Sequence, residues 1–191
     1  MTPEQPEILT DPNIKNRRKE RKGKTAEDFT PAPLVNEILE KLSEYSEDCF
    51  TDPTKTYLDP ACGDGNILVE ILRQKIVHDS SPLQALQTVF GCDIMRDNIQ
   101  ECRIRLLKVV QEFNFKVTED MCKAVLKNIV WTSLKNYKNG SLDYDFEFSR
   151  TPDKVDVQRL WEVMTGKRKA DEKDVQEDEP DAFANFKLTF G

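Results

Sequence analysis

Three features of the sequence predict an α/β fold with a parallel sheet. Apolar residues recur at helical spacing in several stretches, short β-prone runs lie between them, and a glycine-containing loop joins the first such run to a helix. Thr30-Pro31 offers an N-cap followed by proline at the first helical position, and Leu34, Val35, Ile38, Leu39 and Leu42 then share one face. A turn at Asp52-Pro53 precedes a short strand, Thr56-Tyr57-Leu58-Asp59. The loop from Pro60 to Gly65 leads into a second helix whose buried side is Ile67, Leu68, Ile71, Leu72 and Ile76. A short helix starts at Pro82, and Val89-Phe90-Gly91-Cys92-Asp93 reads as the second strand. Ile99, Cys102, Leu106, Val110 and Phe113 stripe the next helix; Met121, Cys122, Val125 and Leu126 mark another. Ile129-Val130-Trp131 is the third strand. Strands alternating with helices imply right-handed crossovers. Further on, Tyr144–Phe148 and Phe186–Phe190 alternate polar and apolar residues and read as strands or as aromatic anchors on the core.

The organisation that follows is a flexible basic arm over 1–24, an α/β core over 25–137, and an acidic, partly disordered extension over 138–191. Net charge is −7, yet residues 1–24 carry seven Lys/Arg against four Asp/Glu. No electrostatic footprint for nucleic acid spans the whole chain. What remains is local: Arg17, Arg18, Lys19, Arg21 and Lys22 lie in a cluster that reads as a solvated arm or as a phosphate-neutralising one. No apolar run approaches the ~20 residues of a membrane span, and the N-terminus lacks a signal peptide's order. Five cysteines without a C-x-x-C pair argue against a disulfide framework or a zinc site, and fit a reducing cytoplasm. The single histidine, His78, reads as a surface residue near a helix end.

In a parallel sheet, ligands bind at the carboxyl ends of the strands, where a loop meets a helix N-terminus. Here that loop is Asp59-Pro60-Ala61-Cys62-Gly63-Asp64-Gly65-Asn66. Gly63 and Gly65 permit positive φ and close approach of a ligand to the backbone. A P-loop would need Gly-Lys-Ser/Thr, and Gly65-Asn66-Ile67 departs from it. A dinucleotide fingerprint needs a small residue where Leu68 stands, so close helix–strand packing is expected to suffer. Asp59 and Asp64 would repel a pyrophosphate and suit a ligand that bears a cation.

Phe29-Thr30-Pro31, the Asp59–Gly65 loop and Cys92-Asp93-Ile94 together resemble class I S-adenosylmethionine (SAM)-dependent methyltransferases. More narrowly, they are similar to the adenine-N6 DNA methyltransferases of restriction–modification systems and to short phage-borne relatives. The resemblance covers about residues 25–135. It implies a Rossmann-like SAM-binding sheet. Phe29 and Thr30 would border the methionine end of SAM, and Asp59 would face its ammonium. The backbone from Pro60, Ala61 and Cys62 through Gly63 to Gly65 and Asn66 would pass close by. Asp93 would accept hydrogen bonds from both ribose hydroxyls, as a carboxylate's acceptor-only chemistry allows. Ile94 would lie against the adenine, and Ser133 stands where relatives carry an Asp that contacts it. A plainer alternative is that Asp59 and Asp93 cap helices while the glycines make a turn.

The family's acceptor motif, Asn/Asp/Ser-Pro-Pro-aromatic, holds the flipped adenine. None of the ten prolines here forms a Pro-Pro pair, and only 60 residues follow Trp131. The sheet is therefore expected to be truncated or remodelled in its C-terminal half, with catalytic residues unassigned. Two functions follow from the resemblance. One is a cytoplasmic (host-cell, if phage-encoded) DNA adenine-N6 methyltransferase, active with DNA and with a partner subunit or a homodimer supplying the acceptor site. The other is a SAM-binding module without turnover, regulatory or anti-restriction in role. A third reading makes the basic arm a nucleic-acid contact and the sheet its scaffold.

Overall fold

The computed structural model describes residues 30–131, 137–138, 141–142 and 151–167. Helix α1 spans Ala32–Tyr45, β1 Tyr57–Asp59, α2 Asn66–Val77, α3 Pro82–Gln87, β2 Val89–Asp93 and α4 Arg96–Glu112. Then come α5 at Glu119–Asn128, β3 at Ile129–Trp131, a hairpin of β4 (Tyr137–Lys138) and β5 (Ser141–Leu142), and α6 at Lys154–Met164. Strands β1, β2 and β3 form a parallel sheet in that order; β4 and β5 pair antiparallel. The expected α/β class and the parallel pairing are both present. The chain divides into two compact units, residues 1–30 and 31–191, and the elements named here belong to the second.

Local chemistry accounts for the element ends. Ser81 and Thr118 accept hydrogen bonds from the backbone N–H groups of Gln84 and Met121, capping α3 and α5. The cap of α1 differs from expectation: it is Pro31, extended and without a side-chain bond, so the helix starts one residue later than Thr30-Pro31 suggested. Asp79 and Asn114, at φ 69° and 61°, take the left-handed conformation just past α2 and α4. Ser80 N–H then reaches Lys75 O and Phe115 N–H reaches Val110 O, satisfying carbonyls the helices would leave orphaned.

The core sits between the sheet and α2, α4 and α5. Leu68, Leu72, Leu86, Ile99, Leu106, Leu107 and Ile129 are 0–1% exposed. Most residues of the helical stripes read from the sequence are buried; Ile38, Leu42, Ile67 and Leu126 are only partly buried, as is Phe113 past the end of α4, and Leu34 is 47% exposed. Helix α6 was not expected. Asp153 caps it by accepting from Val155 N–H at 2.7 Å, and Val157 and Met164 enter the same core. The segments Tyr144–Phe148 and Phe186–Phe190 lie outside the described residues, as do the arm 1–24 and the run 168–191.

Candidate cofactor site at the carboxyl ends of the strands

Parallel register places the two acidic strand ends side by side. Asp59 pairs with Gly91, and Asp93, two residues on, pairs with Trp131. Asp59, Asp93 and Trp131 therefore belong to one face of the sheet, the face on which α2 packs. The loop after β1 is tied to β2 at two points: Cys62 N–H donates to Cys92 O at 2.9 Å, and Gly63 N–H donates to Asp93 Oδ2 at 3.1 Å. A tight turn closes it, Gly65 N–H to Cys62 O at 2.8 Å, with Gly63 and Gly65 at φ 52° and 88°. Gly65 is also the N-cap of α2, and a Cβ there would lie 2.5 Å from Cys102 Sγ of α4. Positive φ and close approach both require glycine at this position.

The three carboxylates of the site have different surroundings. Asp93 is half-buried; its Oδ1 accepts from Met95 N–H at 2.7 Å and from Asn98 Nδ2 at 3.4 Å, so it links the loops after β1 and β2. Asp59 accepts from Ala61 N–H at 3.1 Å and makes no ion pair among the described residues; burial raises its pKa above 3.8. Asp64 is the opposite case. Arg105 Nη1 reaches its Oδ2 at 2.8 Å and its backbone oxygen at 2.9 Å, and the two side chains are only 5% and 14% exposed. The charge of Asp64 is thus spent inside the protein. The sequence reading that made both loop carboxylates face a cationic ligand is corrected here for Asp64, because α4 supplies the counter-charge.

The other predicted residues divide by location. Pro60 and Ala61 are exposed, Cys62 is buried, and Asn66 is half-buried in the first turn of α2. Ile94 is 40% exposed immediately after Asp93. Thr30 is half-buried at the end of the first compact unit. Phe29, Ser133 and the basic cluster Arg17, Arg18, Lys19, Arg21 and Lys22 lie outside the described residues.

Sequence reasoning missed Trp131 as a site residue. Its indole N–H donates to Ile94 O at 3.0 Å, Arg96 lies 5.9 Å from its ring, and it is 37% exposed beside Asp93. Its place at the end of a strand beside an acidic strand end was the available signal. The packing penalty expected from Leu68 is corrected as well. Leu68 is fully buried, and its room comes from Gly91 in β2, where a Cβ would stand 2.6 Å from Leu68 Cδ1. An isolated glycine in a strand marks such an approach.

Three cysteines lie at the loop: Cys62 within it, Cys92 bonded to it through its backbone oxygen, and Cys102 of α4 against Gly65. All five are buried and free, and the Cys62 thiol is pushed up by its hydrogen bond with Cys102 and by burial. Burial also raises Cys92 to about 12. These are poor nucleophiles at neutral pH, because the thiolate is the reactive form. Among the described residues no group of three or more His, Cys, Asp or Glu could hold a metal ion, and no helix is long and apolar enough to cross a membrane. No protein-family model, curated protein or solved structure matches the chain.

Proposed function

We propose that the chain binds S-adenosylmethionine at the carboxyl ends of β1, β2 and β3, within a Rossmann-like sheet, and works as a DNA methyltransferase-like protein of the adenine-N6 type. The observation that carries this reading is the unequal treatment of the loop's two carboxylates. Asp64 is neutralised by Arg105, whereas Asp59 is buried enough for its pKa to rise and has no ion-pair partner among the described residues. A ligand ammonium beside Asp59 would offset that cost. Asp93 suits a diol; the 3.4 Å bond from Asn98 is the one a hydroxyl would most readily replace. Ile94 and Trp131, joined by the indole hydrogen bond, offer partly exposed apolar surface next to Asp93 for a purine.

When bound, SAM supplies an electrophilic methyl group. The residues of this chain would hold its two ends and fix their distance, since Gly63 N–H and Asp93 join the loop to the second strand. Alignment of a target amine would need groups beyond this set. The 191 residues contain no Pro-Pro pair, which favours the second reading, a SAM-binding module without turnover and with a regulatory or anti-restriction role. DNA remains the proposed partner, through the basic arm and with a partner subunit or second copy completing the acceptor site.

Calorimetric titration with SAM tests the cofactor assignment. Heat of binding that disappears in Asp59→Asn and Asp93→Ala is expected, and no heat in the parent chain would refute the reading. Single-turnover methyl transfer to duplex and single-stranded DNA then separates the two functions. Transfer supports the enzyme, and saturable binding without transfer supports the module. Salt-sensitive DNA binding that is lost when residues 1–24 are deleted would assign the arm.

A further inference from the structure

Two thiols meet where the loop of the candidate site packs on α4. Cys62 lies in the loop and is 6% exposed; Cys102 lies on α4 and is fully buried. Their side chains hydrogen-bond to one another. Forty positions separate them in sequence, so the contact is made by the fold and not by local chain geometry. Two glycines give the sulfurs their room. A Cβ at Gly65 would stand 2.5 Å from Cys102 Sγ, and one at Gly91 would stand 3.1 Å from Cys62 Sγ. The sulfurs therefore fill a gap between the loop, β2 and α4 that side chains at those glycines would close. The remaining cysteines are placed elsewhere: Cys92 donates its thiol to Pro60 O at 3.1 Å, Cys49 precedes β1, and Cys122 lies on α5.

We propose that Cys62 and Cys102 are a reversible modification site, closed to a disulfide by a small-molecule disulfide such as oxidised glutathione and reopened by dithiols. The chemistry balances as two exchanges. Cys62 gives its proton to solvent, and its sulfur attacks one sulfur of the oxidant, breaking that S–S bond and releasing one glutathione thiolate. Cys102, deprotonated in turn, attacks Cys62 Sγ in the mixed disulfide and releases the second. The protein thiols lose two electrons and two protons, and the oxidant leaves as two thiols. The hydrogen bond with Cys102 and burial both push the Cys62 thiol up, so exchange starts when the loop opens locally. Cys62 is the entry point because it lies in a loop, whereas Cys102 sits within a 17-residue helix. Once Cys62 carries glutathione, Cys102 is its neighbour at high effective concentration, which favours the intramolecular bond over the adduct. An S–S bond is ~2.05 Å long, shorter than a hydrogen-bonded contact, so closure draws the loop and α4 together. The same turn carries Gly63 N–H to Asp93, so oxidation acts on the geometry of the candidate site. The proposal does not rest on SAM binding, because its test reads the thiols alone.

Mass spectrometry of the full chain tests it. Trypsin places the five cysteines on five separate peptides, Cys62 on 56–73 and Cys102 on 97–103, so a linkage is unambiguous. The folded chain is incubated with oxidised glutathione, and free thiols are then blocked by alkylation. The chain is expected to become lighter by two hydrogens before blocking, with peptide 56–73 joined to 97–103. That pair should exceed any other by about ten-fold or more, and the preference should vanish when the chain is oxidised while unfolded in urea. Dithiothreitol should restore the parent mass. Cys102→Ala should lose the two-hydrogen product; the parent's own peptide map carries the test if that variant does not fold. An unchanged mass after prolonged incubation overturns the proposal. So do glutathione adducts without the link, links shared evenly among the other cysteines, or a two-hydrogen loss that persists in a folded Cys102→Ala chain.

Discussion

Asp59 and Asp64 stand five residues apart in one loop, yet their substitutions should have opposite consequences. Asp64→Ala leaves the Arg105 guanidinium without its carboxylate in a site where both side chains are at most 14% exposed. Breaking a buried pair from one side typically costs about 3–5 kcal/mol. Arg105 keeps its bond to the Asp64 backbone oxygen, which puts the expected loss near the lower end, about 3 kcal/mol. In a domain of this size that lowers Tm by roughly 10 °C. Asp59→Asn keeps the side-chain acceptor for Ala61 N–H and removes a carboxylate that burial disfavours. The folded pKa of Asp59 is raised above 3.8, so the native state holds the proton longer than the unfolded chain. Its contribution to stability therefore falls as pH rises through that window and stays lower at neutral pH. Asp59→Asn should lose this slope and be at least as stable as the parent at neutral pH, while failing to bind SAM. Urea melts followed by circular dichroism from acidic to neutral pH, with calorimetry on each variant, check both halves. A stability loss in Asp59→Asn equal to that of Asp64→Ala would make Asp59 a structural residue and remove the main support for a bound cation.

Gly91→Ala should cost about 1–3 kcal/mol by overpacking against Leu68 Cδ1. In a double-mutant cycle with Leu68→Ala, the coupling should be about 1 kcal/mol or more, and additivity would show that the two do not meet. Lys75 is fully buried, its Nζ donating to Lys55 O at 2.8 Å and Asp52 O at 3.3 Å. Lys75→Met should cost about 1–3 kcal/mol by leaving those carbonyls without their donor. Burial lowers the Lys75 pKa below 10.5, so the unfolded chain binds the proton more tightly and parent stability should rise with pH up to about 10.5. The Met variant should lack that rise in urea melts taken across alkaline pH. Trp131→Ala should weaken SAM binding several-fold in calorimetry by removing apolar surface beside Asp93, with little change in Tm given its 37% exposure.

Much of the fold was legible because period and punctuation agreed. Val89–Asp93 and Ile129–Trp131 are strands over the residues read from sequence, and Pro82 opens α3 behind a serine cap. The errors have physical causes. Thr30-Pro31 looked like a cap and a first turn, but Pro31 itself takes the extended cap conformation, and the helix needs no side-chain acceptor there. Helix α6 was overlooked because its apolar residues are spread through a polar stretch. Its signal was Asp153, an N-cap residue ahead of Val157, Leu160, Trp161 and Met164 at helical spacing. The left-handed residues past α2 and α4 are Asp79 and Asn114, not glycine, so no glycine marked those ends.

The site was legible as a set of residue types and illegible as a distribution of charge. Glycines in a strand-to-helix loop and acids at strand ends can be read one position at a time, because local backbone geometry decides them. Whether a carboxylate is available to a ligand is decided by residues far away in sequence. Arg105 lies 41 positions from Asp64, and nothing near the loop announces it. The same holds for Leu68, whose bulk looked incompatible with close packing until β2 supplied Gly91 beneath it. Asp93 shows where the limit falls. Its placement at the end of β2 followed from the sequence, but its bonds to Gly63, Met95 and Asn98 give it a structural duty that would persist without any ligand. Loss of SAM binding in Asp93→Ala therefore carries less weight than the same loss in Asp59→Asn. Asp93 also joins the loops after β1 and β2, whereas the one hydrogen bond described for Asp59 survives in the asparagine variant.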